Sequence, residues 1–205
     1  MSHYQITLPL IDPKGSIDPA ANALLDAGKK AAKGMLPNMY LAMANTPAVL
    51  STYLHGYGLL REQTTFTVAE LEIVFLVISR ENGCDYCVAA HSLLADLGGV
   101  QREFTDAIRD GLPLPDPKLE ILSQFTRQFL LSRGMPEKAE VERFLAAGYS
   151  EHQVLELILA ISVKTLSNYV NHVFDTKLDP VMKVREYSAF KLGQKVVSAF
   201  KGSKK

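Results

Sequence analysis

The sequence has no tryptophan, only two cysteines, and no excess of either charge. Most of these shortages remove a class of protein; the missing tryptophan by itself excludes nothing. Lys+Arg and Asp+Glu stand at 22 each, so there is no electrostatic case for nucleic acid or an anionic membrane surface as the main partner. The longest apolar stretches, around residues 73–78 and 157–163, fall far short of the roughly 20 residues that a membrane-spanning helix needs. The opening of the chain lacks the charged start and unbroken apolar run of a secretory leader, so the expected compartment is the cytoplasm. There a structural disulfide is disfavoured, and two close cysteines point to catalysis or metal binding. What is present is ordinary globular material. With 205 residues, 47% of them apolar and 21% charged, the chain suits one domain over residues 1–205, with an N-terminal arm (1–17) and a C-terminal extension (179–205).

Strand signals are nearly missing, whereas helix signals recur. Asp18-Pro19 reads as N-cap and first helical residue of a helix running towards Lys33 and stopped by Gly34. Thr46-Pro47 opens another, to about Arg61. Thr67-x-x-Glu70 is a capping-box pattern ahead of the apolar segment Leu71 to Ser79, and Ser150-x-x-Gln153 opens a long helix towards Phe174. Further helices are expected near 100–110, 117–133 and 137–147. Only residues 4–11, YQITLPLI, look extended, and Pro9 makes them an arm rather than a central strand. The expected class is all-α, and no cofactor is called for.

Both cysteines lie in ENGCDYCVAAH, residues 81–91. Asn82-Gly83 is a helix stop, because glycine takes the left-handed conformation without penalty. The next helix then begins near Cys84 and carries both thiols in its first turn, where free backbone N–H groups and the helix dipole favour a thiolate. Cys84, Cys87 and His91 are spaced three and four apart and share one helical face. Glu72, inside LEIVFLVI, has apolar neighbours one turn away on both sides. A helix, a stop and a second helix allow it to fold back towards the Cys/His face, and desolvation is expected to raise its pKa towards neutrality.

Glu72-x11-Cys84-x2-Cys87-x3-His91 resembles the signature of the alkylhydroperoxidase AhpD-like branch of the carboxymuconolactone decarboxylase superfamily. The flanking LPNMYLAMANTP and KTLSNYVNHVFD extend the likeness over about residues 33–178. The resemblance implies an all-helical AhpD-like bundle assembled as a homo-oligomer, commonly a trimer or hexamer. It also implies a thiol-dependent peroxidase. In that reading Cys87 is the peroxidatic thiolate and Cys84 resolves it. Glu72 and His91 move the proton, directly or through a water. A small dithiol or a thioredoxin- or lipoyl-type protein resets the pair. Some members carry His just before the second cysteine, where this chain has Tyr86.

Other readings stand beside this one. Two cysteines can be small buried hydrophobes. Cys-x2-Cys-x3-His supplies three zinc ligands, with Glu72 or His55 as a fourth, although no second Cys pair or His-x3–5-His is present. A thioredoxin fold would need βαβ units that are missing. Tyr53, His55 and Tyr86 read as lining or packing residues. The function alternatives are a non-catalytic redox-responsive helical oligomer and a lyase or decarboxylase acting on a small carboxylate. A degenerate internal repeat is a further possibility: aligning Glu156 on Glu72 sets ELILAIS beside EIVFLVI and puts Asn168 and Asn171 where the cysteines stand.

Overall fold

In the computed structural model, residues 3–15 and 18–185 are described. Four residues of the expected arm (1, 2, 16 and 17) and residues 186–205 of the expected extension lie outside the described residues. Nine α-helices and no strand are found among the described residues: α1 (Pro19–Ala31), α2 (Asn38–Met43), α3 (Pro47–Gln63), α4 (Val68–Glu81), α5 (Asp85–Leu97), α6 (Arg102–Asp110), α7 (Pro117–Leu131), α8 (Lys138–Ala146) and α9 (Glu151–Phe174), followed by a 3-10 segment, Pro180–Arg185. The class is all-α, as expected.

Side-chain caps set four of the nine helix starts among the described residues. The Asp18 carboxylate accepts from Ala20 N at 2.8 Å, and Asp116 accepts from Leu119 N at 2.9 Å. Both capping boxes form. Thr67 Oγ1 accepts from Glu70 N while the Glu70 carboxylate accepts from Thr67 N, and Ser150 and Gln153 do the same. Each such cap contributes about 0.5–2 kcal/mol. Two elements carry no such signal and were missed: the six-residue α2, which starts after Pro37 without a side-chain cap, and the 3-10 segment.

α4 is the axis of the core. Every residue from Glu70 to Ser79 is buried, which suits a helix enclosed on all sides by α5, α6, α7 and α9. Its seven apolar residues from Leu71 to Ile78 each contribute about 1.5–3 kcal/mol by burial. Gly56 lets α3 approach α9: a β-carbon there would sit 2.7 Å from Val163 Cγ2. That close crossing sets the middle of α3 against the middle of α9. The N-terminal arm is irregular. It is tied by Ile6 N to Val173 O (2.8 Å), by Ile11 N to Leu41 O (3.2 Å), and by Asn45 Nδ2 to Pro9 O (2.9 Å).

Candidate active site

The turn between α4 and α5 builds the site. Gly83 sits at φ +70°, the left-handed conformation expected of it, and reverses the chain so that α5 packs back along α4. Cys84 is the N-cap residue of α5 and Cys87 lies in its first turn. Both are free thiols and both are only 1% exposed. They hydrogen-bond to one another, and the pair is asymmetric. The Cys84 S–H holds Cys87 well below the ordinary thiol range, against burial, with help from the charge of Lys164. The same hydrogen bond, reinforced by burial, pushes Cys84 up. Of the pair, Cys87 is the more acidic thiol and Cys84 the less acidic. Side chains account for much of the acidity that the sequence attributes to the helix start alone.

Glu72 does fold back onto this face. Its Oε2 lies 2.9 Å from His91 Nδ1 and its Oε1 lies 2.5 Å from Arg61 Nη1. The expected rise in its pKa is not found. Burial pushes the carboxyl up, but the hydrogen bonds and charges of His91 and Arg61 outweigh burial and leave it below the ordinary carboxylate value. Glu72 is therefore an anchored carboxylate, which changes what it can contribute. An ionised carboxylate only accepts, so His91 Nδ1 carries the hydrogen and Nε2 presents a lone pair. That lone pair faces Lys164 Nζ at 2.8 Å. Burial and the Lys164 charge hold His91 neutral down to about 4. Both ring nitrogens are thus occupied, and His91 meets the thiols as a neighbour rather than as a hydrogen-bond partner.

α9 closes the site from the opposite side. Lys164, Ser167, Asn168 and Asn171 fall at helical spacing on one buried face. Asn171 Nδ2 donates to Cys87 Sγ at 3.2 Å and reaches towards Cys84 Sγ at 3.9 Å. Ser167 Oγ lies 4.0 Å from Cys87 Sγ, and Asn168 Oδ1 accepts from Asn82 Nδ2 at 2.9 Å. Asn168 Nδ2 and Asn171 Oδ1 are buried without a close hydrogen-bond partner. An aromatic wall from α3 and α4 flanks the other side, with Tyr53 and Tyr57 stacked (5.4 Å, 13°) and Tyr57 stacked on Phe75. Burial first, with neighbouring charge including Cys87's, pushes Tyr53 well up. Tyr86 is a structural tie: its hydroxyl donates to Asp179 Oδ2 at 2.5 Å, and Asp179 accepts from Asn38 N at 3.3 Å.

The structure thus brings together all four residues expected from the sequence and adds Arg61 and Lys164, which sequence reasoning missed, and Asn171, which the sequence marks only as a polar residue in need of a hydrogen-bond partner. A lysine in the middle of ELILAISVKTLSNYV was the available signal, since a charge on an otherwise apolar helix is seldom left there without a partner. Arg61, at the end of α3, offered none. The zinc reading has no ligand set, because no three His, Cys, Asp or Glu side chains are grouped to hold a metal among the described residues, and His55 is exposed. A groove of about 480 Å³ lined by Arg80, Glu81, Glu120, Arg127 and Arg143 contains neither thiol. No helix among the described residues is long and apolar enough to cross a membrane.

Comparison with solved structures places the fold. The chain is similar to the alkylhydroperoxidase AhpD core of an uncharacterized peroxidase-related protein from Ralstonia eutropha JMP134, with TM-score 0.76 and 17% identity over 88% of this chain and 96% of that one. It is also similar to an uncharacterized peroxidase-related protein from Silicibacter sp. TM1040 (TM-score 0.70, 18% identity, 86% and 92% covered). The debrominase Bmp8, solved apo and as a cysteine-to-alanine variant with 2,3,4-tribromopyrrole, matches with TM-score 0.67 and 17% identity over 81% of this chain and 89% of its own. No family model and no curated protein matches the sequence. The fold is AhpD-like.

Proposed function

We propose that the protein is a thiol-dependent peroxidase that reduces alkyl or hydrogen peroxide at Cys87. The observation that carries the reading is the asymmetric buried pair: a Cys87 thiolate held by the Cys84 S–H, beside an imidazole and a lysine. The Cys87 thiolate attacks the distal oxygen of the hydroperoxide, the O–O bond breaks, and Cys87 becomes a sulfenic acid. Cys84 then condenses with it, releasing water and forming the disulfide. A small dithiol or a thioredoxin- or lipoyl-type protein restores both thiols by exchange. Asn171 Oδ1 is free to accept the hydroperoxide O–H, and Asn168 Nδ2 to donate to its other oxygen. Glu72 and Arg61 hold His91 in the tautomer described above.

The aromatic wall favours a second reading, reductive dehalogenation of a flat halogenated ring, in which the same thiolate takes the halogen, the ring carbon takes a proton in its place, and Cys84 then expels halide as the disulfide forms, the two electrons coming from the thiol pair. Tyr53 beside Cys87, together with the likeness to a debrominase, supports it. The protein is further proposed to act as a homo-oligomer, a trimer or hexamer, through the exposed apolar positions Leu155, Ile158, Tyr169 and Val173 of α9. The deciding assay follows hydroperoxide consumption with dithiol supplied. Cys87→Ser should fall to the uncatalysed background, and Cys84→Ser should stop after one equivalent with the sulfenic acid trapped. Full turnover by Cys87→Ser would overturn the peroxidase reading, and halide release from a bromopyrrole without peroxide consumption would favour the second.

A further inference from the structure

We propose that Lys164 is the proton donor of the thiol cycle, delivering the proton held between its Nζ and His91 Nε2 to the oxygen that leaves when Cys87 opens a hydroperoxide. This rests on the peroxidase reading and adds a residue to it. Lys164 is 1% exposed in the middle of α9, among Leu157, Ala160 and Val163. An ammonium group in such surroundings costs several kcal/mol unless a negative group compensates it. Among the described residues no carboxylate lies within ion-pair reach of Nζ. Its contacts are His91 Nε2 at 2.8 Å and the Phe75 ring at 5.7 Å. Glu72 is already matched by Arg61. The remaining negative charge is the Cys87 thiolate, whose charge Lys164 does stabilise.

The charge count makes the site a redox-linked proton carrier. With the pair reduced, Arg61 and Lys164 are balanced by Glu72 and the Cys87 thiolate. Once Cys87 is a sulfenic acid or half of a disulfide, its negative charge is gone and the ammonium is left uncompensated. The step that needs a proton is therefore the step that strands this charge. The thiolate electron pair forms the S–O bond, the O–O bond breaks, and the departing alkoxide takes a proton from Lys164, giving an alcohol, a sulfenic acid and a neutral amine. Cys84 S–H then displaces hydroxide from the sulfenic acid, its own proton completing a water molecule. An external dithiol supplies two electrons and two protons, one restoring the Cys84 thiol and the other the Lys164 ammonium. The titratable groups that face Lys164 are His91 and the two thiols; Glu72 of α4 and Arg61 and Tyr57 of α3 stand around His91, and Tyr53 of α3 lies beside Cys87.

The test separates proton delivery from electrostatic support. The thiolate of the reduced full-length protein is titrated by its ultraviolet absorbance. Oxidation by hydrogen peroxide and alkylation by iodoacetamide, which needs a thiolate but no proton, are then timed across pH in single turnover. In Lys164→Met the thiolate should form at higher pH. Per thiolate, alkylation should match wild type, while peroxide oxidation should stay about 100-fold slower, the usual weight of a positioned acid. Lys164→Arg keeps a charge that does not give up its proton; it should retain the thiolate and still oxidise slowly. A peroxide rate per thiolate equal to wild type in either folded variant, checked by circular dichroism, overturns the Lys164 assignment alone. A wild-type protein that reacts with peroxide no faster than a free thiol overturns the peroxidase reading instead.

Discussion

Glu72 and Glu156 head two segments of the same apolar pattern, EIVFLVI and ELILAIS, and the two segments end in different places. Both carboxylates tie helices together. Glu72 joins α4 to Arg61 of α3 and His91 of α5. Glu156 joins α9 to the α3–α4 connection, accepting from Thr64 Oγ1 at 2.9 Å and from Thr65 N at 2.9 Å. Each also has a histidine close by, His91 buried at 3% exposure and His152 exposed. What separates them is the backbone that follows. Gly83 breaks the first segment and folds the thiols back beside Glu72, whereas α9 runs unbroken and carries Lys164, Asn168 and Asn171 past them. The two stretches therefore face each other, Asn82 on Asn168 and Cys87 on Asn171. A shared pattern marks both as core helices; the left-handed turn at Gly83 is what folds the two cysteines back against α9.

The sharpest way to break the comparison is to neutralise each carboxylate in turn. Glu72→Gln leaves the Arg61 guanidinium without its counter-charge and unsettles the His91 tautomer. The expected loss is about 3 kcal/mol of stability, as for removal of one partner of a buried pair, together with most of the peroxide activity. Glu156→Gln keeps an oxygen to accept from Thr64 and Thr65, and should cost about 1 kcal/mol and leave activity unchanged. Urea unfolding of the two variants, with a single-turnover peroxide assay, measures both. Equal losses would mean that the two carboxylates are merely structural ties.

Much of this contrast is legible in the sequence. The caps at Asp18, Thr67 and Ser150, the stop at Gly83, and the grouping of Glu72, Cys84, Cys87 and His91 follow from local spacing, and local spacing is what survives in a helical chain. Arg61 and Lys164 are not legible, because they reach the site through the crossing of α3 over α9 at Gly56, a long-range packing event with no local pattern. The same gap explains the misjudged carboxyl of Glu72. Its burial is visible in its neighbours, but the two cations that overcome burial belong to other helices.

Acid should separate the two segments next. Burial and the Lys164 charge keep His91 neutral down to about 4, against an ordinary value of 6.5. Between those values the unfolded chain binds the proton and the native protein does not. Stability is therefore whole above about pH 6.5 and declines as pH falls towards 4, by up to about 3 kcal/mol. Glu72, held below its ordinary value, adds a loss of the same sign at lower pH. Urea midpoints across this range should slope less in His91→Gln than in wild type, with a His152→Gln protein as the exposed control. A wild-type stability that is flat from pH 6.5 to 4 would mean that His91 is already protonated in the native state.

The smallest effect probes the break itself. An alanine β-carbon at Gly83 meets nothing within 4 Å, so Gly83→Ala carries only the cost of a left-handed residue, about 1 kcal/mol. In a chain of this size that lowers Tm by about 2–4 °C. Since the turn has room for the methyl group, α5 should keep its place against α4 and the Cys87 thiolate should titrate as in wild type. A changed thiolate titration with so small a loss of Tm would mean that the turn tunes the sulfur directly. An unchanged one assigns Gly83 to the path of the chain and leaves the acidity of Cys87 to Cys84 and Lys164, which the unbroken α9 could never have assembled on its own.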